Sequence, residues 1–106
     1  MTNQQKSTLE LTLADIGDYG KDWLNFMDEH HPELVCEMVE NQTLLKVAQS
    51  VDNSAWEYRE LLDSQYAERH IRPYEYEEVV AWERTRTFYT NNIVMRERVL
   101  IPHTKL

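Results

Sequence analysis

A row of apolar and small residues in heptad spacing runs through the middle of the chain. Steps of four and three residues separate its members, which are Leu44, Ala48, Val51, Ala55, Tyr58, Leu62 and then Gln65 or Tyr66. Residues at this spacing lie on one face of an α-helix. The row predicts a helix over residues 43–70, which is about 40 Å long at about 1.5 Å per residue. Its two alanines would let a partner helix approach closely.

Prolines divide the rest of the sequence into helices. Proline fits the first turn of a helix, and the residue before it is pushed out of the helical region. Pro32 therefore separates a helix over residues 19–30 from one over residues 32–41. Pro73 ends the long helix and precedes a last helix over residues 74–100. That helix carries a second heptad-like row, which consists of Ala81, Thr85, Phe88, Asn92, Met95 and Val99.

Length and composition set the fold class. The chain has 106 residues, enough for one domain, and its two glycines and three prolines are too few for the many turns of an all-β protein. We predict an all-α bundle in which two short N-terminal helices pack on a long antiparallel hairpin. Residues 1–14 are predicted to be an extended arm that docks Leu11 and Leu13 on the helical core or on another subunit, and residues 102–106 a flexible tail.

The sequence offers little catalytic or ligand-binding chemistry. Gly17 and Gly20 are the only glycines, and they form no phosphate-binding loop. Asp28, Glu29, His30 and His31 have the spacing nearest to a metal site, but a His pair at a helix end is the preferred interpretation. Cys36 has acidic neighbours, which favours an inert, buried or half-buried thiol. We therefore predict no enzyme activity, no cofactor and no metal.

The single cysteine and the polar N-terminus also bear on location. One cysteine forms no internal disulfide, and no apolar run is long enough for a signal peptide or a membrane span. These features predict a cytoplasmic protein with no membrane contact.

Charge is distributed unevenly along the chain, whose net charge is −8. Residues 1–83 carry eighteen acidic and six basic residues, whereas residues 84–106 carry five basic residues and one acidic residue. An acidic surface repels phosphate, so direct nucleic-acid binding would be confined to the last helix. Four arginines would make that contact: Arg84, Arg86, Arg96 and Arg98. The preferred alternative is that they pair with carboxylates of a neighbouring helix, because an antiparallel hairpin brings Arg84 and Arg86 towards Glu57, Glu60 or Asp63.

Aromatic residues beside carboxylates form the best candidates for binding a protein partner. Some of the three tryptophans and six tyrosines must fill the core, but exposed Trp and Tyr are frequent anchors in interfaces. Trp56, one position beyond Ala55, is the best single anchor. The candidate partner-binding residues are Trp56, Glu57, Glu60, Asp63, Tyr74, Glu75, Tyr76, Glu77 and Glu78.

Several short motifs give the chain a family resemblance. They are Ile16-Gly17-Asp18-Tyr19-Gly20, Trp23-Leu24, Glu29-His30-His31-Pro32 with Leu34, and the long helix opened by Leu44 with Val51-Asp52 and Ala55. In this order the motifs resemble those of the small transposon-encoded TnpV-type proteins of bacterial mobile elements. The chain departs from that pattern at Thr43, where a glycine often precedes the long helix, and in its more acidic first helix.

The resemblance implies a mobile-element or phage origin and an accessory, non-enzymatic role, with no catalytic residues to transfer. We expect a regulatory protein that binds another protein. A sharper hypothesis is an anti-CRISPR or anti-restriction inhibitor whose acidic helix faces mimic nucleic acid in the channel of a nuclease. The alternatives are a DNA-binding accessory factor that acts through the basic last helix, and a structural homodimer formed by the long helices.

Overall fold

The computed structural model describes residues 11–104, and within that range all regular structure is helical. This confirms the predicted all-α class, with two short helices before two long ones. The helices are α1 (Asp18–His30), α2 (Pro32–Glu40), α3 (Leu44–Arg69) and α4 (Tyr76–Val94). A 3-10 turn at Leu13–Asp15 precedes α1, and a π-helical turn at Met95–Val99 follows α4.

The joints between helices follow from local backbone chemistry. Pro32 occupies the first turn of α2, and His31 before it is non-helical, with φ −138° and ψ 56°. Gln42, between α2 and α3, has a positive φ of 60° in the left-handed region that often ends a helix. Pro73 lies between α3 and α4 as predicted, but α4 begins at Tyr76 rather than at residue 74.

The core lies at one end of the α3–α4 hairpin, where α1 packs across α3 and the π-turn closes over both. The predicted face of α3 is confirmed, since Ala48, Val51 and Ala55 are buried. The remaining buried apolar residues come from the first half of the chain and from its last helical turns. They are Ile16, Tyr19, Trp23, Met27, Met38, Val47, Val94 and Val99.

The heptad-like row of α4 does not form the contact with α3. Ala81, Thr85, Phe88 and Asn92 are exposed. The residues turned towards α3 lie one or two positions further on, and they are Trp82, Arg86, Thr90 and Ile93. Compared with the predicted orientation, α4 is rotated about its own axis by one residue position. This orientation half-buries the large Trp82 ring, whose Nε1–H donates to the His70 carbonyl over 3.0 Å. Burial of this aromatic surface outweighs burial of the small Ala81 and Thr85 side chains.

The π-turn places Val99, the last member of the predicted heptad-like row, in the core. Its widened turn is closed by the Leu100 N–H, which donates to the Met95 carbonyl over 2.8 Å. One extra residue per turn changes the direction of the side chains that follow. Val99 is therefore buried although Asn92, seven residues earlier, faces outward.

The ends of the described region differ from the predicted arm and tail. Leu11 is half-buried, but Leu13 is 57% exposed and begins the 3-10 turn, so Leu13 does not dock on the helical core of its own chain. Its docking on another subunit stays a prediction. Residues 1–10 of the arm and residues 105–106 of the tail lie outside the described residues. Within the predicted flexible tail, His103 is half-buried, and its Nε2 lies 2.8 Å from the Arg98 carbonyl oxygen.

The hairpin projects well beyond the core. Its far part, residues 56–89, contains no buried side chain, and we call this segment the hairpin arm. The radius of gyration is 17.1 Å, whereas a compact domain of this length has about 13 Å. None of the described helices combines the length and the apolar character needed to cross a lipid bilayer.

Candidate protein-binding surface

The motifs that carry the family resemblance meet where α1 crosses α3. Gly17 and Gly20 lie so close to α3 that neither has room for a side chain. A Cβ atom on Gly17 would lie 2.5 Å from Asp52 Oδ2, and one on Gly20 would lie 2.8 Å from the Ala48 carbonyl oxygen. The glycines therefore allow the close helix contact that the small residues of α3 prepare.

Asp52 completes this crossing. Its carboxylate is buried and accepts a hydrogen bond from the Gly20 N–H over 3.0 Å. That N–H belongs to the first turn of α1, where it has no partner inside its own helix. Asp52 thus caps α1 from another helix and places a negative charge at the positive end of its dipole. The motif residues at this crossing hold α1 and α3 together.

A polar junction separates the core from the hairpin arm. The Tyr19 hydroxyl donates to Asn91 Oδ1 over 2.6 Å and accepts from Arg59 Nη1 over 3.2 Å. The Trp56 ring meets Tyr19 edge-on, with 4.8 Å between the ring centroids. Trp56 is 41% exposed, so only part of the proposed anchor is free for a partner. This junction has no local signal in the sequence, because Tyr19 and Asn91 are 72 positions apart.

Ion pairs connect the two helices of the hairpin arm. Asp63 Oδ2 lies 3.6 Å from Arg59 Nε, and its Oδ1 lies 3.9 Å from Arg86 Nε. Arg86 also pairs with Glu83. The expectation that the hairpin brings Arg86 to Asp63 is confirmed. Asp63 therefore turns into the hairpin, away from the surface that a partner would contact.

The turn of the hairpin carries the most exposed of the candidate residues. Tyr74 is 99% exposed and Tyr76 is 80% exposed. Glu75, Glu77 and Glu78, at the start of α4, are exposed as well. Carboxylates at this end are favourable for the helix because its N-terminus carries partial positive charge. We call residues 74–78 the acidic turn, and it combines large aromatic area with three carboxylates.

Two further candidate carboxylates lie along α3. Glu57 and Glu60 are exposed, and neither forms a salt bridge within residues 11–104. They share the outer side of the helix with the exposed part of Trp56. The structure thus divides the predicted surface into the acidic turn and a smaller patch on α3.

The four C-terminal arginines do not form a continuous basic stripe. Arg86 faces Asp63, and the Arg98 guanidinium lies over the Tyr58 ring, 4.0 Å from its centroid. Arg96 lies 3.3 Å from Glu97, and the exposed Arg84 forms no salt bridge with any residue of the described range. Only Arg84 and Arg96 are fully on the surface.

Tyr58 and Glu97 connect α3 to the π-turn. The Tyr58 hydroxyl donates to Glu97 Oε1 over 2.6 Å. This hydrogen bond, with a further one from Arg96, holds the pKa of Glu97 below its ordinary value. The same hydrogen bond raises the pKa of Tyr58, because the neutral phenol is the donor.

His30, His31 and Cys36 lie on the first two helices and the joint between them. Cys36 is exposed, which corrects the prediction of a buried or half-buried thiol, because it shares the outer face of α2 with the exposed Glu33 and Glu37, whereas Met38 faces the core. His30 and His31 pack against Phe26, with ring centroids 5.0 Å and 5.7 Å away. In the described part of the chain, no three His, Cys, Asp or Glu residues come close enough together to hold a metal ion.

Comparison with known proteins gives one match. No curated protein and no solved structure matches the chain. A family model described as "Transposon-encoded protein TnpV" matches residues 6–101. That range takes in every motif on which the resemblance was based, from Ile16 to Ala55, together with the whole hairpin. The chain therefore belongs to the TnpV family of transposon-encoded proteins.

Proposed function

We propose that this protein is a non-enzymatic accessory protein of a transposon that acts by binding another protein. The contact surface would be the acidic turn, residues 74–78, with the patch of Trp56, Glu57 and Glu60 on α3 as a secondary contact. The family supplies the transposon context. The binding role and the choice of surface are inferences from exposure, charge and residue type.

The observation that carries this proposal is the exposure of Tyr74 and Tyr76 beside three carboxylates. The fold does not need these rings, since both tyrosines lie almost entirely in solvent. Tyrosine brings a large, rigid area to an interface at a low cost in side-chain entropy. Flanking carboxylates would direct such a surface towards a basic partner, because complementary charge speeds encounter and disfavours acidic partners.

The sharper form of the proposal is inhibition of a nuclease that defends the host. A CRISPR nuclease or restriction enzyme binds DNA phosphates in a positively charged channel. An elongated arm whose end carries several carboxylates offers such a channel a substitute for phosphate.

The test is DNA cleavage by purified CRISPR nucleases and restriction enzymes in the presence of the full chain. We expect inhibition that weakens as salt rises from about 50 to about 500 mM, since a charged interface is screened. The variant E75Q/E77Q/E78Q should lose inhibition. Its matched control is E33Q/E37Q/E40Q, which removes three exposed carboxylates from α2 and should inhibit like the unchanged protein.

Two results would contradict the proposal. One is equal inhibition by both triple variants, which would place the contact elsewhere. The other is a gel shift of DNA by the protein at low salt that disappears in R84Q/R96Q. That outcome would favour the DNA-binding alternative, because Arg84 and Arg96 are the two exposed arginines of the C-terminal region. Circular dichroism should show the same helix content in every variant.

A further inference from the structure

A second surface lies on the outer side of α4, beyond the acidic turn. Ala81, Thr85, Phe88 and Asn92 follow one another at steps of four, three and four residues, and all four are exposed. Phe88 is 72% exposed. An open depression of about 440 Å³ lies beside it, lined by Glu83, Arg84, Thr87, Phe88 and Asn91. The four residues of the row have the spacing of a coiled-coil seam, and the opposite side of the same helix packs against α3.

We propose that this outer row is the interface of a symmetric dimer, in which α4 of a second copy of the chain packs against it in antiparallel orientation. A two-fold contact requires a surface that is complementary to itself. The row meets this requirement because its members are symmetric about the midpoint between residues 86 and 87. In that register Phe88 lies level with Thr85 of the second copy, and Ala81 lies level with Asn92 of the second copy.

The pairing places large residues opposite small ones. The ring of Phe88 meets a threonine rather than another ring, and Asn92 meets an alanine. Alternation of large and small side chains across facing positions lets two helices interdigitate at close distance. A shift of the register by one heptad would instead leave Phe88 opposite Asn92 or Glu78 and lose this fit.

Charge along α4 selects the same antiparallel arrangement. The N-terminal end of the helix carries the exposed Glu77, and the π-turn beyond its C-terminal end carries the exposed Arg96. These two positions are also symmetric about the midpoint between residues 86 and 87. Glu77 of one copy therefore comes level with Arg96 of the other, at both ends of the contact. A parallel pair would place Glu77 beside Glu77, which is unfavourable.

The oligomeric state of the full chain tests the proposal directly. Sedimentation velocity from about 5 to about 500 µM should show a monomer that converts to a dimer as concentration rises, by mass action. F88E should stay a monomer over this range with unchanged helix content. The control is V39E, which puts the same charge on an exposed apolar residue of α2 and should dimerise normally.

Disulfide cross-linking tests the register. On a C36S background, A81C/N92C should form an intermolecular disulfide on mild oxidation, because the two positions face each other across the proposed contact. A81C alone should form much less, since the two copies of residue 81 lie far apart in an antiparallel pair. E77R and R96E should each weaken the dimer, and the double variant E77R/R96E should restore it.

Three results would overturn the proposal: a protein that remains monomeric at the highest concentration, an F88E variant that dimerises as well as the unchanged chain, or efficient cross-linking by A81C alone. In the dimer, Glu77 of the acidic turn faces Arg96 of the second copy, but F88E leaves the acidic turn itself intact, so the nuclease assay can be run on this variant. An F88E monomer that still inhibits cleavage would separate the two surfaces.

Discussion

The two ends of the α3–α4 hairpin are held together by different forces. At the core end, buried apolar side chains from α1, α3 and the π-turn pack together, and Asp52 satisfies the first turn of α1. In the hairpin arm the contact consists of half-buried rings and of ion pairs around Asp63. Burial of apolar area is the larger stabilising effect, whereas partly exposed ion pairs contribute little. Most of the stabilising burial therefore lies at the core end of the hairpin, and the hairpin arm keeps more of its surface exposed.

We expect the largest difference in stability between the two ends from substitutions of Trp23 and Trp56. Trp23 is 0% exposed, so W23A should lower the free energy of unfolding by about 3–5 kcal/mol. W56A should cost about 1 kcal/mol, mainly for its edge contact with Tyr19. Urea denaturation followed by circular dichroism measures both values. Similar costs for the two variants would mean that the arm end is as well packed as the core.

The next largest change in stability is expected at Gly20, where α1 crosses α3. G20A adds a methyl group that would lie 2.8 Å from the Ala48 carbonyl oxygen and closer still to the Ile16 side chain. The clash should cost about 1–3 kcal/mol even though alanine favours helix formation. N25A, at an exposed position of the same helix, should change stability by about 0.5 kcal/mol or less. A stabilised G20A would show that the crossing is looser than the distances indicate.

A pair of substitutions in α4 compares the two ends within one helix. V94A removes two methyl groups from a fully buried position and should cost about 2 kcal/mol. R86M breaks the ion pairs with Asp63 and Glu83 but leaves Arg59 beside Asp63. Because these groups are partly exposed, R86M should change stability by about 1 kcal/mol or less. A larger loss in R86M than in V94A would reverse the proposed difference between the ends.

The smallest effect is a pH dependence at the boundary between the two ends. The lowered pKa of Glu97 means that its carboxylate stabilises the fold above the ordinary carboxyl pKa. That contribution disappears as the pH falls through the lowered pKa of the folded state. Y58F removes the strongest cause, so an NMR titration should show the pKa of Glu97 rising towards its ordinary value. Y66F, whose ring has no hydrogen bond to Glu97, should leave this pKa unchanged.

The helices were predictable from the sequence because their signals are local. Pro32 marks the start of α2 and Pro73 marks the connection between α3 and α4, and the alanines and valine in the row of α3 favour a close helix contact. The same reasoning failed for α4, where two neighbouring rows both have helical spacing. The inner row includes Arg86, which resembles a surface residue until its pairing with Asp63 is known. Only the tertiary contact of Trp82 with the end of α3 decides between the rows.

The candidate surface was predictable in part for the same reason. Tyr74 and the carboxylates of the acidic turn are exposed. Their exposure was predictable because a hairpin turn is a local feature and Pro73 marks it in the sequence. Asp63 and the partial burial of Trp56 depend on partners 20 or more positions away. The exposed row with Phe88 was visible as a pattern, but its direction depended on the rotation of α4.

The hydrogen bond from Trp23 Nε1 to the Ile101 carbonyl, 3.0 Å long, has a consequence for synthesis of the chain. The two residues are 78 positions apart, so the ring at the centre of the core lacks this partner until residue 101 has been synthesised. Until then, the nascent helices α1 to α3 expose the surface that Val99 and Ile101 will cover. A core that closes only through contacts of such high sequence separation leaves apolar surface exposed for longer during folding.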